Sequence, residues 1–118
     1  MTQETTNHEA ALQARIIETV RAAVCAKYGF SEREIRSMRK TGPLAKARQV
    51  GMALARNLSS ASYNDIARAF GKKDHGTAAY ASAETILRLN SDVRFAIEYE
   101  SIQATVYKNL QSNEPTTA

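Results

Sequence analysis

The sequence predicts an all-α fold, a six-helix bundle, on three observations. Ala, Leu, Ile, Glu, Arg and Lys dominate the 118 residues, while glycine and proline number only five and two. That composition favours helix over sheet. Apolar residues recur at spacings of three and four, the period of a helix that buries one face. Capping residues and breakers then divide this pattern into six pieces. The length fits a single domain large enough to bury a core without staples. The domain is expected over 9–110, between polar, flexible tails at 1–8 and 111–118.

The first helix is expected from Glu9 to Tyr28, with Leu12, Ile16, Ile17, Val20, Val24 and Tyr28 as its stripe and Gly29 as its stop. Ser31-Glu32-Arg33-Glu34 has the form of a capping box and opens a second helix to about Lys40, with Ile35 and Met38 facing the core. Thr41-Gly42-Pro43 breaks it. A third helix is expected over Leu44–Leu58, where Val50, Leu54 and Leu58 form a stripe and small residues allow close packing. Ser62 caps a fourth, which buries Ile66, Ala67 and Phe70 and stops at Gly71. Asp74 caps a fifth to about Leu89, with Ala78, Ala81, Thr85, Ile86 and Leu89 inward. Ser91-Asp92 cap a sixth to Leu110, striped by Phe95, Tyr99, Ile102, Val106 and Leu110. Val93 and Ile97 broaden its apolar face, to be read as core packing or as a dimer seam.

Composition excludes several classes. A single cysteine, Cys25, rules out a disulfide framework and reads as a small packed residue of a reducing cytosol. The polar start MTQETTNHE lacks the apolar core of a signal peptide, and no apolar run is long enough to span a membrane. The expected location is therefore cytoplasmic. No cluster of carboxylates, histidines or nucleophiles has catalytic or metal-binding spacing, so neither an enzyme nor a cofactor is expected. The net charge of +4 is unevenly placed: residues 31–74 hold ten Lys or Arg against four Asp or Glu, and the remainder sums to −2. Charge alone leaves two readings open, a polyanionic partner or a solvated basic surface.

Two short helices joined at Gly71 match the helix-turn-helix plan, in which the second helix enters the major groove N-terminus first. Asp74, His75, Gly76 and Thr77 would then face base edges. Lys72 and Lys73 would sit near phosphates, and Arg56 and Arg68 would reach flanking backbone.

Two blocks make the pattern specific. They are Ala47-Arg48-Gln49-Val50-Gly51-Met52 and Ser62-Tyr63-Asn64-Asp65-Ile66 through Phe70-Gly71-Lys72-Lys73-Asp74-His75-Gly76-Thr77. Together they resemble the C-terminal DNA-binding domain (domain IV) of the bacterial replication initiator DnaA, over roughly residues 12–110. The resemblance implies a Trp-repressor-like helix-turn-helix that recognises a DnaA box in double-stranded DNA. It assigns minor-groove reading to Arg48 and major-groove reading to Asp74 and His75, with Thr77 at the family's second hydroxyl position. It places Arg39, Lys40 and Lys46 on a basic loop at phosphate, and Ser62, Tyr63 and Asn64 near the backbone. Gly76 departs from the family, replacing a Ser or Thr on the base-facing surface; Ala78 and Tyr80 stand where Val and His are usual. The initiator's ATPase loop is absent. Gly71 to Thr77 is the nearest match, and it lacks the lysine and follows a helix. Met1 and the polar ends favour a stand-alone protein over an excised fragment.

The implied function is that of a nucleoid-associated regulator of transcription or replication initiation that competes with the initiator for sites. Gly76 and the broad last helix motivate a different reading, a protein-interaction module that modulates the initiator without reading DNA. The oligomeric state, monomer or weak dimer, stays open.

Overall fold

A computed structural model describes residues 3–112, and among these it forms six α-helices and no strand. They are α1 (Gln3–Tyr28), α2 (Glu32–Ile35), α3 (Gly42–Leu58), α4 (Tyr63–Ala69), α5 (His75–Ser91) and α6 (Val93–Ser112). Each lies where the sequence places a helix; α5 and α6 run two residues past their expected ends, α6 into the stretch assigned to the C-terminal tail, and three other boundaries move. α1 begins at Gln3, inside the stretch assigned to a tail. α3 starts at Gly42 because Thr41 caps it, accepting from the Leu44 amide, and Pro43 occupies its first turn. Proline is tolerated there, since its missing N–H has no helical partner to lose. α2 stops at Ile35 after four residues although its capping box forms in full. Residues 1, 2 and 113–118, assigned to the tails, lie outside the described residues.

α3 is the central helix. It packs against α1 on one side and α5 on the other; α4 lies on α5, and α6 crosses α1. The core joins Val20 and Val24 of α1, Leu44, Val50 and Leu54 of α3, Ile66 of α4, Phe70, Ala78 and Ala81, and Val106 of α6. Fully burying such a side chain contributes roughly 1.5–3 kcal/mol. The small residues of α3 permit close approach, and Gly51 requires it: a Cβ there would lie 2.4 Å from the Phe70 ring. Cys25 is buried in α1, and burial, then Glu32, pushes its pKa to about 11, so the thiol is held unreactive.

Three residues expected inside are outside. Leu12 is 43% exposed, Met38 80% and Ile86 56%. Met38 follows from the early end of α2, which leaves it in a loop. On α5 the buried line runs through Ala78, Ala81 and Thr85, so the helix turns Ile86 outward. Val93 and Ile97 are exposed as well.

Candidate nucleic-acid interface

Helices α4 and α5 are joined by Phe70–Asp74. Gly71 ends α4 with a φ of +77°; its amide donates to the Arg68 carbonyl, and the Lys72 amide donates to Ala67. These two bonds form a Schellman stop, which needs a residue in the left-handed region. Glycine is required on a second count, because a Cβ would lie 2.3 Å from the Arg36 carbonyl oxygen. The turn therefore rests directly on the segment that follows α2.

Asp74 then caps α5, its carboxylate accepting from the Gly76 amide at 2.9 Å. Asp74 and His75 are both exposed, and His75 Nδ1 lies 3.7 Å from the Asp74 carboxylate. Thr77 is half-buried, and its amide bonds to the Asp74 carbonyl. Gly76 is not forced by its backbone. The nearest atoms to a Cβ there belong to the Asp74 carboxylate, at 3.3 Å.

A groove runs beside this helix start. Lys40, Gln49, Met52, Lys72, Thr77 and Tyr80 line it, with Arg48 behind. It brings together the loop after α2, the first half of α3, the turn and the exposed start of α5. Burial lowers the Lys72 pKa, and the positive charges of Arg48 and Lys40 lower it further. Three cations thus crowd one groove, the condition in which an anion is the natural complement. Gln49 and Tyr80 received no role from sequence. Tyr80, 63% exposed, stands one helical step from Thr77, so helical spacing alone was enough to find it.

The remaining candidates lie elsewhere. Arg56 stacks on the Tyr63 ring at 4.3 Å and donates to the Ala61 carbonyl, in a hollow on the opposite flank of α5 near Ser82 and Thr85. Ser62 caps α4, accepting from the Asp65 amide, and Asn64 beside it is exposed. Lys73 is exposed on the turn, and Arg39 is exposed and paired with Glu34 at 3.3 Å. Lys46 does not reach the groove. It pairs with Glu98 of α6 at 3.2 Å and lies 5.5 Å above the Tyr28 ring, whose hydroxyl donates to the same carboxylate.

Arg48, at the back of the groove, is 2% exposed, and its guanidinium donates to carbonyls of residues 34–39. Burial lowers its pKa. Arg21 acts similarly at the end of α4, donating to the Ala69 carbonyl while pairing with Glu32. Neither arginine carries a sequence signal for this use, since the accepting carbonyls lie 9–48 positions away.

A short helix, a glycine turn and a longer helix with an exposed, capped N-terminus beside crowded cations define a helix-turn-helix protein. The chain belongs to the bacterial dnaA protein helix-turn-helix family, which it matches over residues 17–84. That stretch takes in the loop, the turn and the groove. Among similar proteins are the chromosomal replication initiator proteins DnaA of Pelobacter propionicus and Streptococcus mutans. They are 30% identical over 92 residues (78% of this chain, 20% of the relative) and 37% over 87 residues (74% and 19%). The DnaA of Sphingopyxis alaskensis is 40% identical over 65 residues, 55% of this chain and 14% of the relative. The chain thus spans about a fifth or less of the length of these relatives. Among the described residues no helix is long and apolar enough to cross a membrane, and no three His, Cys, Asp or Glu gather to hold a metal.

Proposed function

We propose that this chain binds double-stranded DNA by seating the start of α5 in the major groove. Asp74, His75 and Thr77 face base edges there, with Gly76 leaving an open place between them. Phosphates are held by Lys40 and Lys72 along the groove, by the exposed Arg39 and Lys73 outside it, and by Arg56, Ser62, Tyr63 and Asn64 on the other flank of α5. The observation that carries this reading is the meeting of Lys40, Lys72 and Thr77 in one groove beside the capped N-terminus of α5, within the segment that matches the family. The biological role that fits is regulation of replication initiation or transcription at DnaA-box-like sites shared with the initiator.

Gel shifts across a salt series on a DnaA-box duplex and a scrambled duplex test it. Box DNA is expected to bind at least about tenfold more tightly than scrambled DNA. Equal affinities overturn sequence-specific reading, and no binding at low salt overturns DNA binding altogether. A second reading draws on the exposed Leu87, Val93 and Ile97 where α5 meets α6: a protein partner covers that corner. Retained function after His75→Ala and Lys72→Ala would favour it.

A further inference from the structure

A hollow of about 370 Å³ opens where α3, α4 and the second half of α5 meet, on the flank of α5 away from the groove. Ala53, Arg56, Ser82, Thr85, Ile86 and Leu89 line it. That size, and an apolar wall with a few placed polar groups, are those of a small-ligand site. Thr85 is 3% exposed. Among the described residues its hydroxyl is the one buried side-chain polar atom without a hydrogen-bond partner. Thr19 and Thr105 donate to carbonyls four residues back in their own helices, at 2.8 and 3.1 Å. Thr85 does not take that local outlet. A buried hydroxyl left unpaired is unfavourable, and valine would fill the same space without that cost. The hydroxyl therefore calls for a partner that enters the hollow.

Arg56 supplies the second group. The Tyr63 ring lies against its guanidinium at 4.3 Å, and its Nη1 donates to the Ala61 carbonyl at 3.0 Å. These contacts fix the plane of the guanidinium. Among the described residues no protein acceptor takes Nε or Nη2, the edge that matches a carboxylate with two parallel bonds. Ile86, 56% exposed, and Leu89 add an apolar wall that a DNA phosphate would not use.

We propose that this hollow binds a small organic acid. Its carboxylate sits on the Nε–Nη2 edge of Arg56, a hydroxyl or carbonyl of the acid meets Thr85, and its apolar body lies against Ile86 and Leu89. A turn about χ1 exchanges the hydroxyl and methyl of a helical threonine between allowed rotamers, so Thr85 can face the acid without backbone movement. Occupancy takes Arg56 from DNA, so the acid lowers DNA affinity; this second half rests on the DNA-binding reading above.

The probes are para-hydroxybenzoate, benzoate, para-hydroxybenzamide and inorganic phosphate, titrated at millimolar concentration into the DNA-free full chain and followed by amide NMR shifts. Para-hydroxybenzoate is expected to give saturable shifts at Arg56, Thr85 and Ile86, benzoate weaker ones, and the amide and phosphate none. Arg56→Gln should weaken para-hydroxybenzoate by about tenfold or more. Thr85→Val should weaken it by about threefold to tenfold, leave benzoate unchanged and fold at least as stably as wild type. Phosphate binding as well as the acids would mean an adventitious anion only, and no saturable shift with any probe would mean an ordered water only. Either result overturns the site, and the four probes on wild type give it even if a variant does not fold. In gel shifts, saturating para-hydroxybenzoate should weaken box and scrambled duplexes equally, lower the salt slope by about 0.9 and leave Arg56→Gln unaffected. Binding without that effect overturns the link to DNA. If wild type bound no DNA, the underlying function would fail while the DNA-free titration still decided the site.

Discussion

The groove beside α5 and the junction of α1, α3 and α6 treat the same residue type in opposite ways. Lys72 and Lys46 are both lysines from the basic middle of the chain, and sequence gave both a phosphate. In the groove, Lys72 faces Arg48 and Lys40, and its charge is opposed by burial and by like charges. At the junction, Lys46 meets the Glu98 carboxylate and the Tyr28 ring. The difference comes from α6, which brings a carboxylate to one site and not to the other. A cation whose partner is already in the fold stabilises the fold; one left among its own kind waits for an anion from outside.

The largest break in this contrast is at the turn. Gly71→Ala forces a left-handed residue to carry a Cβ and drives it into the Arg36 carbonyl. The backbone term alone costs about 1–2 kcal/mol, and the clash adds to it. The expected loss, read by thermal or denaturant unfolding, exceeds about 2 kcal/mol. A variant as stable as wild type would show that the segment after α2 is not held against the turn.

Gly76 sharpens the contrast from the other direction. Its backbone is not left-handed, and the nearest atom to a Cβ there is the Asp74 carboxylate at 3.3 Å, the group that caps α5. Gly76→Thr should therefore fold, at a stability cost no larger than loss of that cap, about 0.5–2 kcal/mol. It places a methyl and a hydroxyl on the base-facing surface, where one good contact is worth about 1–3 kcal/mol of discrimination. The expected result is a higher box-to-scrambled affinity ratio in gel shifts. An unchanged ratio would remove residue 76 from the reading surface.

The paired lysines give a smaller and more direct comparison. Lys72→Ala should weaken binding equally on box and scrambled duplexes and lower the salt slope by about 0.9. Lys46→Ala should leave the slope unchanged and show its effect in unfolding instead, as a modest loss of stability. If Lys46→Ala lowered the slope as much as Lys72→Ala does, the ion pair with Glu98 would not hold in the complex.

The helices were legible because caps and stripes are local: Ser31, Ser62 and Asp74 cap where their neighbours say they should. The turn was legible for the same reason, through Gly71. What sequence misplaced is governed by distant partners. α2 stops short of Lys40, and the carbonyls beyond it are taken by Arg48 across 9–14 positions; Met38 then falls outside. Lys46 turned inward for a carboxylate 52 positions away, on a helix whose packing no local pattern specifies. Ile86 and Thr85 sit side by side, and it is the threonine, in helical register with Ala78 and Ala81, that is buried.

The smallest effects are those of pH, and here the two regions should respond with opposite sign. Burial alone would raise the Glu98 pKa, but the Tyr28 hydroxyl, Lys46 and Lys27 hold it below the ordinary 4.5. A carboxyl depressed in the fold contributes stability that is present above its unfolded value and lost as pH falls through the folded one. The gap in thermal midpoint between wild type and Glu98→Gln should therefore be full near neutrality and close below pH 4.5. Lys72 has a folded pKa below the ordinary 10.5, so the unfolded chain holds its proton more tightly and stability rises with pH up to that value. Lys72→Gln should be relatively more stable near neutrality, and that advantage should shrink as pH approaches 10.5. If DNA places a phosphate beside Lys72, as proposed, the sign reverses at this site, because the phosphate favours the proton that the free groove disfavours. The share of affinity lost in Lys72→Gln should thus fade over the same alkaline window. A share that stays constant with pH would mean that Lys72 meets no phosphate, and the groove would lose its claim to be the anion-binding side of the fold.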